Sequence, residues 1–342
     1  MVDLSVGNPS DPPPPVVAAA LADSTTARSY PASIGSAGFR HAAIDWVSRR
    51  FGVEVALEQV AACIGTKELV AGLPHLLRLR TPDRDTVLYP AISYPTYAMG
   101  ATLAGGRAVP ISTMADGTLD LASISDADVE RALCLWVNSP ANPTGALDDL
   151  DAAARWGRQH GVPVLSDECY AEFTWDGPPR TILESGDAGV LAVHSLSKRS
   201  NLAGLRAGCY VGDGELVSYL SEVRKHAGAM VPGPVQDAAI AAWCDQSHVD
   251  MQRDRYRARL ETAAELVRAA GATVELPGGA FYLWAAAPDG DAWGFASLLA
   301  EQAGVLVSPG DFYGPDGAGH VRVAAVAPTE RLELALERLS DT

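Results

Sequence analysis

A short apolar run, Val190 to Val193, empties into a cluster of polar side chains: Ser195, Ser197, Lys198, Arg199 and Ser200. Arg206 lies further on, between Gly204 and Gly208. A lysine at the end of a buried strand forms imines with aldehydes and ketones once its amine can deprotonate. Burial and nearby positive charge both favour that by lowering its pKa. Two hydroxyls and an arginine alongside suit a phosphate dianion. An imine-forming lysine beside a phosphate cradle is the arrangement that holds pyridoxal phosphate. Arginine, which cannot form the imine, supplies most of the positive charge, and only Lys67, Lys198 and Lys225 are lysines. The plainer alternative for Lys198 is an ordinary loop lysine.

Other groups with chemical potential also stand just after short apolar runs. Gly65-Thr66-Lys67 stands where a strand turns into a helix, and the backbone N–H groups of such a start suit a phosphate. Tyr94 and Tyr97, in the segment SYPTY, offer an aromatic ring to stack on a pyridine, or simply fill a core. Asn138 and Asn142, in NSPANPTG, sit in a rigid proline-bearing turn. Asp167 can hold a pyridine nitrogen protonated, or cap a helix, and Tyr170 comes shortly after it.

The elements that must position these groups read as short buried strands: 60–65, 86–90, 107–111, 132–139, 162–168, 190–196 and 207–213. Helical or loop segments separate most of them, which predicts an α/β fold with a mostly parallel seven-stranded sheet flanked by helices. The last run comes so soon after its predecessor that an antiparallel placement is open. In such sheets ligands bind beyond the carboxyl ends of the strands, where the groups above cluster. From about residue 250 the texture changes. A long charged helix leads into four strand-like runs, ATVELPGG, FYLWAAA, VLVSPGD and HVRVAAV, and a closing helix. That predicts a smaller α+β C-terminal domain over 251–342, a large domain over 26–250, and an N-terminal segment, 1–25, that joins the small one.

The segments SLSKRSNLAGLRAG, NSPANPTG, DECYAEF and YPTY resemble those of class I/II pyridoxal-phosphate aminotransferases of fold type I. HSLSKRSNLAG, RKHAGAMVPGPVQ and SPGDFYGPDGAGHVRVA are similar to the actinobacterial type of N-succinyldiaminopimelate aminotransferase, an enzyme of lysine biosynthesis. The resemblance implies that Lys198 carries the cofactor and shuttles the proton, and that Asp167 pairs with the pyridine nitrogen. Tyr170 and Asn142 would meet the ring oxygen, and Tyr94 would stack on the ring. Ser195, Ser197, Arg206 and the backbone at Gly65, Thr66 and Lys67 would hold the phosphate. Arg322 would grip the substrate α-carboxylate, with Gly7 and Asn142 close by. Tyr30 would reach the phosphate of a neighbouring subunit, so a homodimer is implied. The family usually has an arm before the segment that corresponds to Val2, which this sequence lacks. The resemblance further implies amino transfer between glutamate and N-succinyl-LL-2,6-diaminopimelate. Arg224 and Lys225 are candidates for the succinyl arm, or part of a solvated helix face. Another aminotransferase, or a carbon–sulfur lyase of the same fold, is the alternative.

A net charge of −16 argues against nucleic acid and anionic membrane surfaces, and so against the ligand-sensing part of a DNA-binding regulator. Five scattered cysteines form neither a disulfide framework nor a zinc pattern, and no metal is expected. No secretory signal or membrane span is recognisable, so the expected setting is the cytoplasm, with small-molecule substrates.

Overall fold

The computed structural model describes residues 1–340. After a two-residue strand, β1 (Val2–Asp3), the chain builds a sheet from β2 (Val60–Cys63), β3 (Thr86–Pro90), β4 (Arg107–Ile111), β5 (Ala132–Asn138), β6 (Val164–Asp167), β7 (Val190–Ser195) and β8 (Gly208–Gly212). Their order across the sheet is β2-β8-β7-β6-β5-β3-β4. The β4, β3, β5, β6 and β7 pairs are parallel, whereas β8 runs antiparallel to both β7 and β2. The 196–207 link between β7 and β8 holds only the four-residue helix Leu196–Arg199 and a three-residue turn at Ala203–Leu205, with no helix long enough to carry the chain back along the sheet, and β8 reverses.

Every residue of β5, β6 and β7 is buried, as expected for strands covered on both faces. Alternate residues divide between two cores. Leu88, Leu135, Val137, Val164 and Ala192 face one, with Phe39, Trp46 and Trp243 from helices. Val87, Trp136, Leu165, Leu191 and Val193 face the other, with Leu69, Leu73 and Tyr97.

A third core gathers Val2, Leu4, Leu260, Leu283, Val305, Val321 and Leu332. It lies under β9 (Tyr282–Ala286), β11 (Ser308–Pro309) and β12 (His320–Ala324), in the order β11-β12-β9. β10 (Val305–Leu306) pairs with β1. The long helix, Ser247–Ala269, begins a few residues earlier than its charged sequence suggests. The predicted strand ATVELPGG does not form: Thr273 makes one isolated bridge to Ala286, and Pro277 with two glycines ends the run. The first 25 residues are shared between cores. Val2 and Leu4 enter the third, while Val17 and Leu21, on the helix Pro15–Asp23, pack into the first.

Candidate active site

The carboxyl ends of β5, β6 and β7 face a cavity of about 440 Å³. Its lining joins sequence-distant segments: Gly7; Thr66, Lys67 and Tyr94; Asn138 and Asn142; Asp167 and Tyr170; Ser195, Ser197, Lys198 and Arg206; and Tyr282 and Arg322. A cavity of this size suits a cofactor with a small substrate.

Lys198 sits in the short helix Leu196–Arg199 directly after β7, whose start is capped by Ser195 Oγ accepting from Ser197 N at 3.1 Å. Its Nζ donates to the Gly7 carbonyl. Burial pushes the amine down to about 8, and the Arg322 and Arg206 charges act in the same direction. A nucleophilic amine is therefore accessible near neutral pH.

Asp167 ends β6. Its Oδ2 accepts from Tyr97 Oη at 2.9 Å and its Oδ1 from Cys169 N at 3.2 Å. Burial nonetheless raises its pKa above the ordinary carboxylate value. Among the described residues no cation pairs with it. A buried carboxylate of this kind fits a cationic ring nitrogen. Asn138 braces the strand end: its Nδ2 donates to Asp167 O at 2.8 Å and its Oδ1 accepts from Asn142 N at 2.8 Å.

Arg206 stands just before β8, where the reversed strand starts at the same sheet edge. Its Nη1 donates to Ala203 O at 2.8 Å, and among the described residues the rest of the fork is free. Gly65 faces it, with a φ of +70°; a Cβ there would lie 2.3 Å from Arg206 Nη2. Glycine makes room for the guanidinium at the start of the helix Thr66–Arg80. Free fork, helix start and two serine hydroxyls fit a phosphate.

Arg322 lies on β12 and is buried. Its Nη1 donates to Asn142 Oδ1 at 2.9 Å, and Ser5 O accepts from Nη2. Its Nε has no partner among the described residues. The guanidinium is 4.4 Å from the Tyr282 ring centroid and 4.7 Å from that of Tyr313. Tyr170 Oη is 2.8 Å from Tyr282 Oη. Tyr94 meets Tyr97 edge-on, with ring centroids 5.9 Å apart.

Residues 1–339 of the 342 match the family model for class I and II aminotransferases. The chain belongs to that family. Its members depend on pyridoxal phosphate, and the residues around the cavity fit that cofactor in each of its charged parts. A probable aminotransferase of Mycobacterium tuberculosis is 45% identical over 99% of this chain and 80% of its own length. The 4-dedimethylamino-4-oxo-anhydrotetracycline transaminase OxyQ of Streptomyces rimosus is 42% identical over 99% and 93%. An LL-diaminopimelate aminotransferase of Desulforudis audaxviator is 36% identical over 99% and 89%. Among solved structures, substrate-bound BacF of Bacillus subtilis superposes with a TM-score of 0.93, at 29% identity over 100% of this chain and 90% of that one. A probable N-succinyldiaminopimelate aminotransferase of Thermus thermophilus gives 0.89, at 31% identity over 100% and 94%.

The basic pair expected near a succinyl arm lies elsewhere. Arg224 is buried and forms a two-pronged ion pair with Glu68, at 2.7 and 2.9 Å, while Lys225 is exposed beside Glu222. Neither lines the cavity. They are consecutive on the helix Gly214–His226, so one faces the sheet and the next faces solvent. Tyr30 is 96% exposed and lies outside the cavity of its own chain.

The contacts of Tyr97 and Tyr282 go beyond the sequence reading. Tyr97 fills a core, one of the two uses the sequence offers, and its hydroxyl also donates to Asp167. The signal for Tyr282 is the alternation in FYLWA: Leu283 and Ala285 point into the third core, and Tyr282 and Trp284 point the other way. Cys169 also lines the cavity, with Sγ 3.2 Å from Thr66 Oγ1.

Proposed function

We propose that this aminotransferase exchanges the amino group of glutamate with that of a long-chain substrate carrying a distal anion, of the N-succinyl-LL-2,6-diaminopimelate type. One observation carries this reading. In a chain of net charge −16, the cavity is lined by four cations, Lys67, Lys198, Arg206 and Arg322, and one acid, Asp167. Arg206 answers a phosphate, Lys198 the reaction and Arg322 an α-carboxylate. Lys67 is left over: it has no carboxylate partner among the described residues, and its Nζ lies 5.8 Å from the Tyr94 ring centroid. A second carboxylate on the substrate would meet it. The names of the Thermus structure and the Desulforudis relative support a diaminopimelate-type substrate.

Asp167 would hold the cofactor's ring nitrogen, Tyr170 its ring oxygen, and Arg206, Ser195, Ser197 and Thr66 its phosphate, while Tyr94 would stack on the ring. Bound pyridoxal phosphate supplies the electron sink that makes the substrate α-proton removable. Lys198 Nζ takes that proton and holds it within reach of both partners, which its lowered pKa permits. Arg322 fixes the carboxylate and so orients the bond to be broken. Val6 and Gly7 line the cavity beside the amine, whose Nζ donates to the Gly7 carbonyl. Tyr30, exposed on its own chain, is suited to completing the phosphate site of a second copy in a homodimer.

The test is single-turnover absorbance of the cofactor-loaded enzyme with separate amino donors. Glutamate and N-succinyl-LL-diaminopimelate should both bleach the cofactor band, and Lys67→Met should raise KM for these donors but not for alanine. Conversion by alanine alone would refute the distal-anion reading. The OxyQ similarity supports a second reading, a polycyclic ketone as amino acceptor. It is tested by offering 4-dedimethylamino-4-oxo-anhydrotetracycline to the glutamate-aminated enzyme.

A further inference from the structure

Tyr282 touches three parts of the site at once. On β9 it lies opposite Ala324 of β12, while Arg322 lies opposite Trp284. Tyr282 and Arg322 are therefore diagonal neighbours on one sheet face, within reach of long side chains. The guanidinium rests on the Tyr282 ring, 4.4 Å from its centroid, with Tyr313 on it as well, at 4.7 Å. The hydroxyl reaches past the arginine to Tyr170 Oη at 2.8 Å. It also lies close against the backbone of Gly7. A Cβ on Gly7 would come within 2.0 Å of Tyr282 Oη, so only glycine allows the backbone to lie against that hydroxyl. Tyr282 is 2% exposed.

We infer that Tyr282 is a positioning residue that couples the hold on the cofactor's ring oxygen, through Tyr170, to the hold on the substrate's carboxylate, through Arg322. The proposal rests on the assignment of Tyr170 and Arg322 given above. Burial raises the pKa of both phenols, so both remain hydroxyls at neutral pH and one must donate to the other. When Tyr170 turns its proton to the ring oxygen, Tyr282 can donate to the oxygen of Tyr170. A donor behind a donor makes the front hydrogen bond stronger. The ring of Tyr282, meanwhile, packs against the guanidinium and holds it in place at the cavity lining. Phenylalanine at this position would keep the second effect and lose the first; leucine would lose both.

Four variants separate these effects: Tyr170→Phe, Tyr282→Phe, the double variant and Tyr282→Leu. The readouts are the pH of half-conversion of the bound cofactor's absorbance band, and KM for glutamate. A donor at the ring oxygen stabilises negative charge there, so removing it moves half-conversion to higher pH. Tyr170→Phe should shift it upward, Tyr282→Phe upward by less, and the double variant no further than Tyr170→Phe alone. Tyr282→Phe should leave KM within about twofold, while Tyr282→Leu raises it roughly tenfold. A wild-type titration for Tyr282→Phe, with Tyr170→Phe shifted, overturns this proposal alone. An unshifted Tyr170→Phe overturns the site assignment beneath it. Additive shifts in the double variant would show that Tyr282 acts independently of Tyr170 and would refute the relay. Equal KM values for the two Tyr282 variants would refute the link to Arg322. If Tyr282→Leu does not fold, the three phenylalanine variants still decide the relay.

Discussion

Gly65→Ala tests the phosphate cradle most directly. Residue 65 has a φ of +70° and a ψ of 151°, which is backbone space reserved almost wholly for glycine. Placing alanine there costs roughly 1–3 kcal/mol of folding stability. The new methyl would also lie 2.3 Å from Arg206 Nη2 and 2.7 Å from its Cζ. The guanidinium is the free end of a long side chain, so it yields by swinging aside rather than by unfolding its loop. The loss therefore falls on whatever the guanidinium holds. A charge-assisted hydrogen bond contributes about 1.5–3 kcal/mol, which corresponds to roughly 10- to 100-fold in affinity. Cofactor-free Gly65→Ala should bind pyridoxal phosphate that much more weakly, measured by quenching of tryptophan fluorescence. Gly72→Ala is the control: it lies inside the same helix, and a Cβ there meets nothing within 4 Å. It should leave affinity unchanged and add about 0.5–1 kcal/mol of stability. Wild-type affinity in Gly65→Ala would refute the cradle and detach Arg206 from the phosphate.

The lowered pKa of Lys198 predicts selective chemistry in the cofactor-free protein. Acetylation of Lys198, read out by mass spectrometry, should reach half its maximal rate near pH 8. The unfolded chain holds this proton up to the ordinary value of 10.5, so between about 8 and 10.5 it binds more protons than the folded one. This group therefore opposes folding below about 8 and ceases to do so as pH rises toward 10.5, a trend visible in denaturant melts against Lys198→Met. Glu172 accepts from Trp46 Nε1 at 2.8 Å, Arg50 Nε at 2.6 Å and Arg199 Nε at 3.1 Å, and it braces the residue next to Lys198. Glu172→Gln leaves Arg199 buried without its counter-charge and should cost about 3–5 kcal/mol in urea unfolding. Burial alone would raise the Glu172 pKa, but Arg199 and Arg50 outweigh it and hold it below 4.5. Its stabilisation is therefore present above pH 4.5 and is lost as pH falls through the lower folded value.

The amino-acid order alone determined the sheet and which polar residues gather at its edge. Continuous apolar runs such as ALCLWVN and VLAVHS can be satisfied only as strands covered on both faces. The residues just past the end of each parallel run must then emerge at one edge of the sheet, which is why Asn142, Asp167 and Lys198 were legible. Tertiary structure decided which cations are free. Arg224 and Lys67 look alike in the sequence, yet one is locked to Glu68 by a helix packed across the sheet and the other faces the cavity. It also decided what Tyr97 and Tyr282 do. A hydroxyl's partner depends on approach within about 3 Å, and residues 97 and 167, or 170 and 282, reach that separation only when separate layers pack. Local periodicity fixes the direction in which a side chain leaves its strand; only the packing of distant segments fixes what it meets.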